Sequence, residues 1–343
     1  MEKIDVKNLL EEELGRRFIA LGFERYRAGQ VFEWVYKKFV VDIEAMKNLP
    51  AAMRLRLGEA AYVSSLITAA QQVSGDGTRK YLFRLGDGQN IESVYIPSAR
   101  TSTVCISSQA GCAFACEFCA SGAAGLARNL EPAEIVSQVL AVREGGFPVT
   151  NVVFMGMGEP FDNYDNVIKA VRLLNAPYAL GIGQRRITIS TCGIIPGIRR
   201  FADEGTQVEL SVSLHSPDDT VRSRLMPVNK KYPLKALVET CREYARLTKR
   251  QVTFEYMLMK GVNDTPEDAE RLAKLLAGFL SKVNIILFNE VTAPRGAYLS
   301  SERASVSMFQ EVLGRRGVVA TLRERRGADI DAACGQLRLR HEA

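Results

Sequence analysis

Three cysteines stand close together in Gly111-Cys112-Ala113-Phe114-Ala115-Cys116-Glu117-Phe118-Cys119. Their C-x3-C-x2-C spacing lets one loop wrap its thiolates around a single metal centre. A [4Fe–4S] cluster normally takes four cysteines, so three leave one iron open. An open coordination position is what a catalytic metal requires. The amino and carboxylate groups of S-adenosylmethionine (SAM) would fill it. The competing reading is a zinc knot with Cys105 as fourth ligand. Against zinc, no second Cys or His pair lies nearby at zinc spacing.

Further candidates stand at intervals along the chain. Met155-Gly156-Met157-Gly158-Glu159-Pro160 offers glycines, which let backbone approach a ligand, and a carboxylate able to accept from an ammonium group. Ser190, Ser213-Leu214-His215 and Asn289 fall where strands are expected to end. Small polar residues at successive strand ends suit a nucleoside and amino-acid ligand, although each taken singly reads as a loop cap. His215 alone reads more readily as a structural histidine. Near the C terminus, Arg326-Gly327-Ala328-Asp329-Ile330-Asp331-Ala332-Ala333-Cys334-Gly335-Gln336-Leu337 sets a cysteine among small and polar residues, which suits a reactive thiol. Cys192 and Cys241 fit the usual reading of a buried, inert cysteine.

The elements that must position these residues can be read from hydrophobic pattern. Residues 7–65 read as helical, with Arg16, Arg17, Arg25, Arg27, Lys37 and Lys38 as either a solvated face or a phosphate-contacting surface. Arg79–Leu85 and Ile91–Ile96 read as a hairpin around Gly86-Asp87-Gly88. From residue 102, β-branched apolar runs at 103–107, 151–155, 186–191, 207–214, 251–258 and 282–288 alternate with helical patterns at about 131–145, 163–175, 195–204, 233–247 and 265–280. Glu131-Pro132 and Asn263-Asp264 read as helix starts. Alternation of this kind specifies an α/β fold with a parallel sheet, and six units make a partial (β/α)6 barrel. A last helix at 302–314 and a strand near 318–323 follow. The cysteine loop directly follows the first barrel strand, and in barrels the C-terminal strand ends carry the active site.

Bulk composition narrows the class. Apolar residues make up 47% and charged residues 24% of the 343, ordinary values for a globular protein. The net charge of +6 permits a polyanionic partner without demanding one. No apolar run reaches the length of a membrane helix, and the opening Met1-Glu2-Lys3-Ile4-Asp5 lacks a secretory apolar stretch, so a cytoplasmic location is expected. Seven cysteines there are not expected to form a structural disulfide framework.

Together these features resemble the RlmN/Cfr family of radical SAM RNA methyltransferases, from about Leu21 to Leu337. The likeness is closest in Val104-Cys105-Ile106-Ser107-Ser108-Gln109, the cysteine triplet, Met155 to Pro160, Ser213-Leu214-His215 and Asp329 to Leu337. The triplet alone marks only the radical SAM superfamily; Cys105 and Cys334 with it are more specific. The resemblance implies one [4Fe–4S] cluster on Cys112, Cys116 and Cys119, two SAM molecules per turnover, and SAM contacts at Gly158, Glu159, Ser190, Ser213, Leu214, His215 and Asn289. It implies Cys334 as the methyl-carrying cysteine, Cys105 as its resolving partner through a transient disulfide, and Glu92 as the proton acceptor. In the chemistry so implied, a SAM-derived radical activates the methyl on Cys334, the carbon adds to an adenine ring carbon, Glu92 removes the ring proton and Cys105 releases the product.

The implied substrates are 23S rRNA, at an adenosine of the peptidyl-transferase centre, and tRNA at adenosine 37. Ile91–Pro97 and Val252–Tyr256 look like the branch that methylates carbon 2 rather than the resistance branch that methylates carbon 8. The implied layout is an N-terminal helical RNA-binding domain (1–66), a β-hairpin linker carrying Glu92 (67–100), the radical SAM barrel (101–300) and a C-terminal extension carrying Cys334 (301–343). An external donor such as flavodoxin or ferredoxin, a monomeric state and no membrane contact complete the expectation. Arg315, Arg316, Arg323, Arg325 and Arg326 join the N-terminal cluster as candidates for phosphate contact. Two other readings stay open: a zinc-stabilised RNA-binding protein, and a radical SAM enzyme acting on a small molecule or protein.

Overall fold

The structure, a computed structural model, describes residues 3–123, 125–289 and 298–330. The chain opens with β1 (Ile4–Asp5), then α1 (Glu11–Ala20), α2 (Arg27–Lys37) and α3 (Ala51–Ala60), and returns to pair β2 (Ala61–Tyr62) in parallel with β1. That strand pair is absent from the helical reading of 7–65, because two residues give no periodicity to see. This unit docks through Asn8. Its side chain donates to Glu131 Oε2 at 2.6 Å and accepts from Ala133 N–H at 2.8 Å.

Three antiparallel strands follow: β3 (Ile67–Val73), β4 (Arg79–Arg84) and β5 (Asn90–Pro97). β6 (Ser102–Cys105) pairs antiparallel with β5 and parallel with the strand Asn151–Phe154, so the hairpin strands extend the barrel sheet itself. The rest of the chain runs through β7 (Gln109–Gly111), α4 (Ala120–Ala123), β8 (Leu126–Asn129), α5 (Pro132–Glu144), β9 (Asn151–Phe154), α6 (Tyr164–Asn175), β10 (Ile187–Thr191), α7 (Ile195–Asp203), β11 (Glu209–Ser213), α8 (Asp219–Leu225), α9 (Leu234–Thr248), β12 (Val252–Leu258), α10 (Pro266–Leu276), β13 (Ser281–Leu287), α11 (Arg303–Arg315) and β14 (Ala320–Leu322). The main sheet has ten strands in the order β14-β13-β12-β11-β10-β9-β6-β5-β4-β3. β14 pairs in parallel with β13 and so makes a seventh parallel strand beyond the six units expected.

Helix starts follow local hydrogen bonding. Glu131 caps α5, with Pro132 at its first position. The start expected at Asn263-Asp264 lies instead at Thr265, whose hydroxyl accepts from Asp268 N–H at 3.1 Å. Asn263 is diverted into the loop after β12: its amide donates to the His215 and Met257 carbonyls and its oxygen accepts from Met259 N–H.

The two faces of the parallel strands differ. Val152, Phe154, Ile187, Ile189, Leu210, Val212, Phe254, Val283 and Ile285 are buried in one continuous apolar core. Residues between them face a lumen of about 720 Å³, lined by Val153, Thr188, Ser211, Thr253, Glu255, Asn284 and Arg323, among others. Residues paired across a sheet share a face. Cys105 pairs with Val153 and with Val94, so Cys105, Val94 and, two residues along β5, Glu92 lie on the lumen face. The two edges of the main sheet are also tied together. Asp329 accepts from Ser74 Oγ at 2.5 Å and Gly75 N–H at 3.1 Å, and Gly327 N–H donates to Asp76 at 3.1 Å. The segment leaving β14 thereby reaches the β3–β4 turn.

One buried side chain links this scaffold to the lumen. Gln138 on α5 accepts from Ser93 Oγ (2.6 Å) and Ser107 N–H (2.8 Å) and donates to the Ser107 carbonyl (2.9 Å). The Ser107 hydroxyl donates to the Glu92 carbonyl at 2.6 Å and accepts from Met157 N–H at 2.9 Å. Gln138→Leu keeps the volume but strands the Ser107 peptide groups. It is expected to cost about 3 kcal/mol, read as a lower urea midpoint at unchanged m-value; a midpoint shift within error would show that the node carries no weight.

Candidate active site

β6 ends at Cys105, and Ile106 to Gln109 carry the chain to the strand-end side of the barrel. The cysteine loop then turns at Gly111, which has a φ of +85°. A Cβ at this position would fall 2.0 Å from the Gly125 carbonyl oxygen, so no side chain fits. Glu117 N–H donates to the Leu225 carbonyl at 3.0 Å, and Cys119 N–H to the Cys116 carbonyl at 3.1 Å, which seats the loop against α8. Phe114, Cys116 and Phe118 pack against an apolar cluster of Leu225, Met226, Met257, Met259 and Phe288.

A cavity of about 150 Å³ gathers Cys112, Cys116 and Cys119 with Gly158, Glu159, Ser190, Ser213 and His215. Met155, Glu255 and Arg323 line both this cavity and the lumen. Two residues of the expected SAM-contact set stand apart. Leu214 is fully buried and offers only backbone, and Asn289, half-buried, does not line this cavity. Glu92 and Cys105 lie together on the lumen face, both buried, and Lys80 Nζ stands 3.1 Å from Glu92 Oε2. Cys334 lies outside the described residues.

Burial dominates the electrostatics. It pushes the Cys112 thiol up to about 12 and Cys116 well above the usual thiol range. Such thiols ionise only against a strong local positive charge, and a bound metal supplies one. Among the described residues no three Cys, His, Asp or Glu side chains converge at single-ion spacing. Three thiolates can each bind a separate iron of a four-iron cluster. The donor set therefore fits a cluster.

Glu159 is buried and its carboxyl is raised by that burial. The rise is opposed by the Cys192 N–H at 2.6 Å and the Phe161 N–H at 3.0 Å. Its own N–H donates to Gln109 Oε1 at 2.8 Å. Gly158, with φ +97°, would place a Cβ 2.5 Å from that of Gln109. The carboxylate thus ties the loop after β9 to the loop after β10 while bordering the cavity.

His215 sits in the left-handed region, φ +57°, held by the Asn263 amide on its carbonyl at 2.6 Å. Its Nδ1 accepts from Met257 N–H at 3.0 Å. A neutral imidazole has one proton, which must then be on Nε2, leaving a single fixed donor. Burial, with Arg222 adding repulsion, holds its pKa down at about 3. Phe118 packs edge-on against the ring at 4.7 Å.

Several residues of this site carry no signal in the sequence. Cys192, expected to be an inert core thiol, lines the cysteine cavity; burial and Glu159 push its thiol up. Cys241 is fully buried on α9, as expected. Arg323, a candidate for phosphate contact, lines both cavities, because alternation along the last strand turns it inward. Arg315 and Arg316 do lie outside, paired with Glu311 and Glu270. Glu255 stands between the cavities, accepting from Asn284 Nδ2 at 2.7 Å and Ser211 Oγ at 3.2 Å.

A partial parallel barrel with a three-cysteine loop after its first strand defines a radical SAM protein. The family model "Radical SAM superfamily" matches residues 106–276, and "Ribosomal RNA large subunit methyltransferase N-terminal domain" matches residues 4–63. The chain is 48% identical over 337 residues to the dual-specificity RNA methyltransferase RlmN of Syntrophotalea carbinolica, covering 98% of this chain and 90% of that one. It is 48% identical to the probable RlmN of Pelotomaculum thermopropionicum, covering 98% and 92%. A crystal structure of a radical SAM methyltransferase from Sphaerobacter thermophilus superimposes with a TM-score of 0.92 at 45% identity, over 98% of this chain and 99% of that one. The chain belongs to the RlmN family of radical SAM methyltransferases. A [4Fe–4S] cluster and SAM are accordingly its cofactors.

The His215 shift has a consequence for stability. The unfolded imidazole titrates near 6.5 and the folded one near 3. Between those values the unfolded chain binds more protons, so stability falls as pH falls through that window, by up to about 1.4 kcal/mol per unit. Urea unfolding of wild type and His215→Asn should therefore converge as pH drops from 6.5 to 4.5 relative to pH 8; parallel curves would place the imidazole in a solvated setting.

Proposed function

We propose that this chain methylates carbon 2 of an adenosine in 23S rRNA and of adenosine 37 in tRNA. The observation that carries this reading is the adjacency of two cavities that share Met155, Glu255 and Arg323 as walls. One gathers the three cysteines and the strand-end polar residues, and the sheet face that lines the other carries Cys105 and Glu92. The relatives named dual-specificity RNA methyltransferase, matched over nearly their whole length, support the RNA substrates.

Cys112, Cys116 and Cys119 would hold the cluster, leaving one iron for SAM. Gly158, Glu159, Ser190, Ser213 and His215 would surround SAM, with Leu214 contributing backbone and Asn289 closing from the end of β13. When bound, the cluster and SAM supply one-electron chemistry, which an electrophilic ring carbon requires because it is a poor nucleophile. Two SAM molecules serve each turnover, one as methyl donor and one as radical source. Among the chain's own groups, His215 offers a fixed Nε2–H donor at every physiological pH, with its ring pinned by Met257. Glu92, held by Lys80, takes the ring proton. Cys105 attacks Cys334 to free the product, and the transient disulfide is reduced in a cytoplasmic setting. Cys334 follows four residues after Ile330, within about 14 Å of extended chain from it. The tie of Asp329 to Ser74 sets where that stretch begins.

The target base must leave its stack to reach the lumen. Residues 1–66 would act as the RNA-docking domain, 67–100 as the hairpin bearing Glu92, 101–300 as the catalytic barrel and 301–343 as the extension bearing the methyl carrier. The enzyme would act as a monomer and draw electrons from a flavodoxin or ferredoxin. Among the described residues no helix is long and apolar enough to cross a membrane.

Two outcomes test this reading. Alanine at Cys112, Cys116 or Cys119 should each abolish the absorbance near 400 nm, while Cys105→Ala keeps it; its loss there would mean a four-cysteine site. Anaerobic incubation with RNA, SAM and reductant should give 2-methyladenosine on nucleoside mass spectrometry, and Cys105→Ala should instead accumulate a protein–RNA adduct. A product running with 8-methyladenosine would assign the resistance branch, and free turnover by Cys105→Ala would remove the resolving role.

A further inference from the structure

Arg222 is fully buried on α8, and no role falls to it in the chemistry above. Its guanidinium donates to four acceptors. Nε reaches the Leu214 carbonyl at 3.2 Å, Nη1 reaches Asn229 Oδ1 at 2.6 Å, and Nη2 reaches the carbonyls of Cys192 at 2.9 Å and Ser213 at 3.0 Å. These carbonyls belong to the ends of β10 and β11, the strands that deliver Ser190, Cys192, Ser213 and His215 to the cavity. One turn further along the same helix, Leu225 accepts the Glu117 N–H of the cysteine loop. Arg222 thus stands directly behind the cavity wall.

Its charge has no counterpart among ordinary partners. Among the described residues no carboxylate lies at ion-pair distance from it; Asp219, on the same helix, is exposed and already bonded to Asn229 and the Leu234 N–H. The titratable groups facing it are Asp219, the thiols of Cys116, Cys192 and Cys241, and His215. None of these side chains accepts a hydrogen bond from the guanidinium, whose partners are backbone carbonyls and Asn229 Oδ1. A buried, uncompensated charge is expensive. Peptide carbonyls can be satisfied by neutral donors, so they do not explain why a permanent cation sits here. Three thiolates around a four-iron core carry net negative charge, and one electron adds another.

We propose that Arg222 is the buried counter-charge of the cysteine centre, a positioning residue that shapes the cavity wall and stabilises the reduced cluster. The inference rests on cluster binding at Cys112, Cys116 and Cys119. A cation close to a redox centre in a low-dielectric setting favours the more negative state. The electron arrives from an external one-electron donor; no bond in the protein forms or breaks in this step.

The test is potentiometric titration of the reconstituted cluster, followed by electron paramagnetic resonance, with iron and sulfide content measured on the same samples. Arg222→Gln removes the charge while retaining part of the hydrogen bonding. At full cluster content its equilibrium constant for reduction should fall at least tenfold, about 59 mV more negative. Arg222→Lys should remain within about twofold of wild type at neutral pH. Equal potentials in wild type and Arg222→Gln would overturn the proposal and leave a structural brace. An empty wild-type site would instead sink the cluster reading on which it rests. Should Arg222→Gln fail to fold, the lysine variant still decides. A buried lysine loses its proton at high pH where arginine does not, so its potential should fall with rising pH relative to wild type, in which the neighbouring groups are the same. Superimposable pH profiles would overturn the proposal.

Discussion

A parallel sheet is normally buried on both faces and apolar on both. Here one face must stay polar and unfilled, because a chamber of about 720 Å³ occupies the place where a barrel core would pack. The rest of the architecture answers to that constraint. Apolar burial is concentrated on the outer face, where Ile189, Val212 and Phe254 meet the helices. The strand ends are fixed in addition by buried side chains with most of their hydrogen-bonding capacity used. Gln138 holds Ser107, Asn163 donates to the Ser108 and Leu130 carbonyls, and Asn263 holds His215 and Met257. Each such node is worth more inside a dry protein than at its surface, and each is correspondingly intolerant of a missing partner.

The same dryness sets the chemistry. Burial disfavours the charged form of the groups lining the cavity: it raises the Cys112 and Cys116 thiols and lowers His215. Arg323 lines the cavity together with the carboxyl groups of Glu159 and Glu255, and Arg222 stands behind its wall. Arg222 and Arg323 bias this place toward anionic ligands, and Met226, Met257 and Phe118 give it apolar walls. Preorganised electrostatics of this kind needs no rearrangement when the ligands arrive.

Much of this is legible in the chain. The alternation from residue 102 onward marks the barrel strands to within two residues or so, and the C-x3-C-x2-C loop, Gly158, Glu159, Ser190, Ser213 and His215 converge on one cavity as their strand-end positions require. The parts that are not legible share a cause. Arg222, Gln138 and Gln109 act through backbone groups distant in sequence, and no local pattern separates them from surface residues. Arg323 reads as a surface residue because its neighbours Arg325 and Arg326 make the basic run look like a solvated face; only strand register decides which one turns inward. Asn263 reads as a helix cap because free Asn residues usually are, and the competing partners, His215 and Met257, become visible only in three dimensions.

The ten strands of the main sheet lie side by side in the order in which they occur in the chain, from β3 at one edge to β14 at the other. Each new strand therefore finds its partner already in place as the polypeptide emerges, and no strand has to be inserted between two others. The exception comes late. The contact between Ser74 and Asp329 closes a separation of 255 residues, and it must wait until everything between them has left the ribosome. The chamber can be assembled progressively during synthesis, but its two edges are joined only once Asp329 is free to fold back. A nascent chain would thus hold the cysteine loop and the lumen for some time before the segment leading to Cys334 is secured.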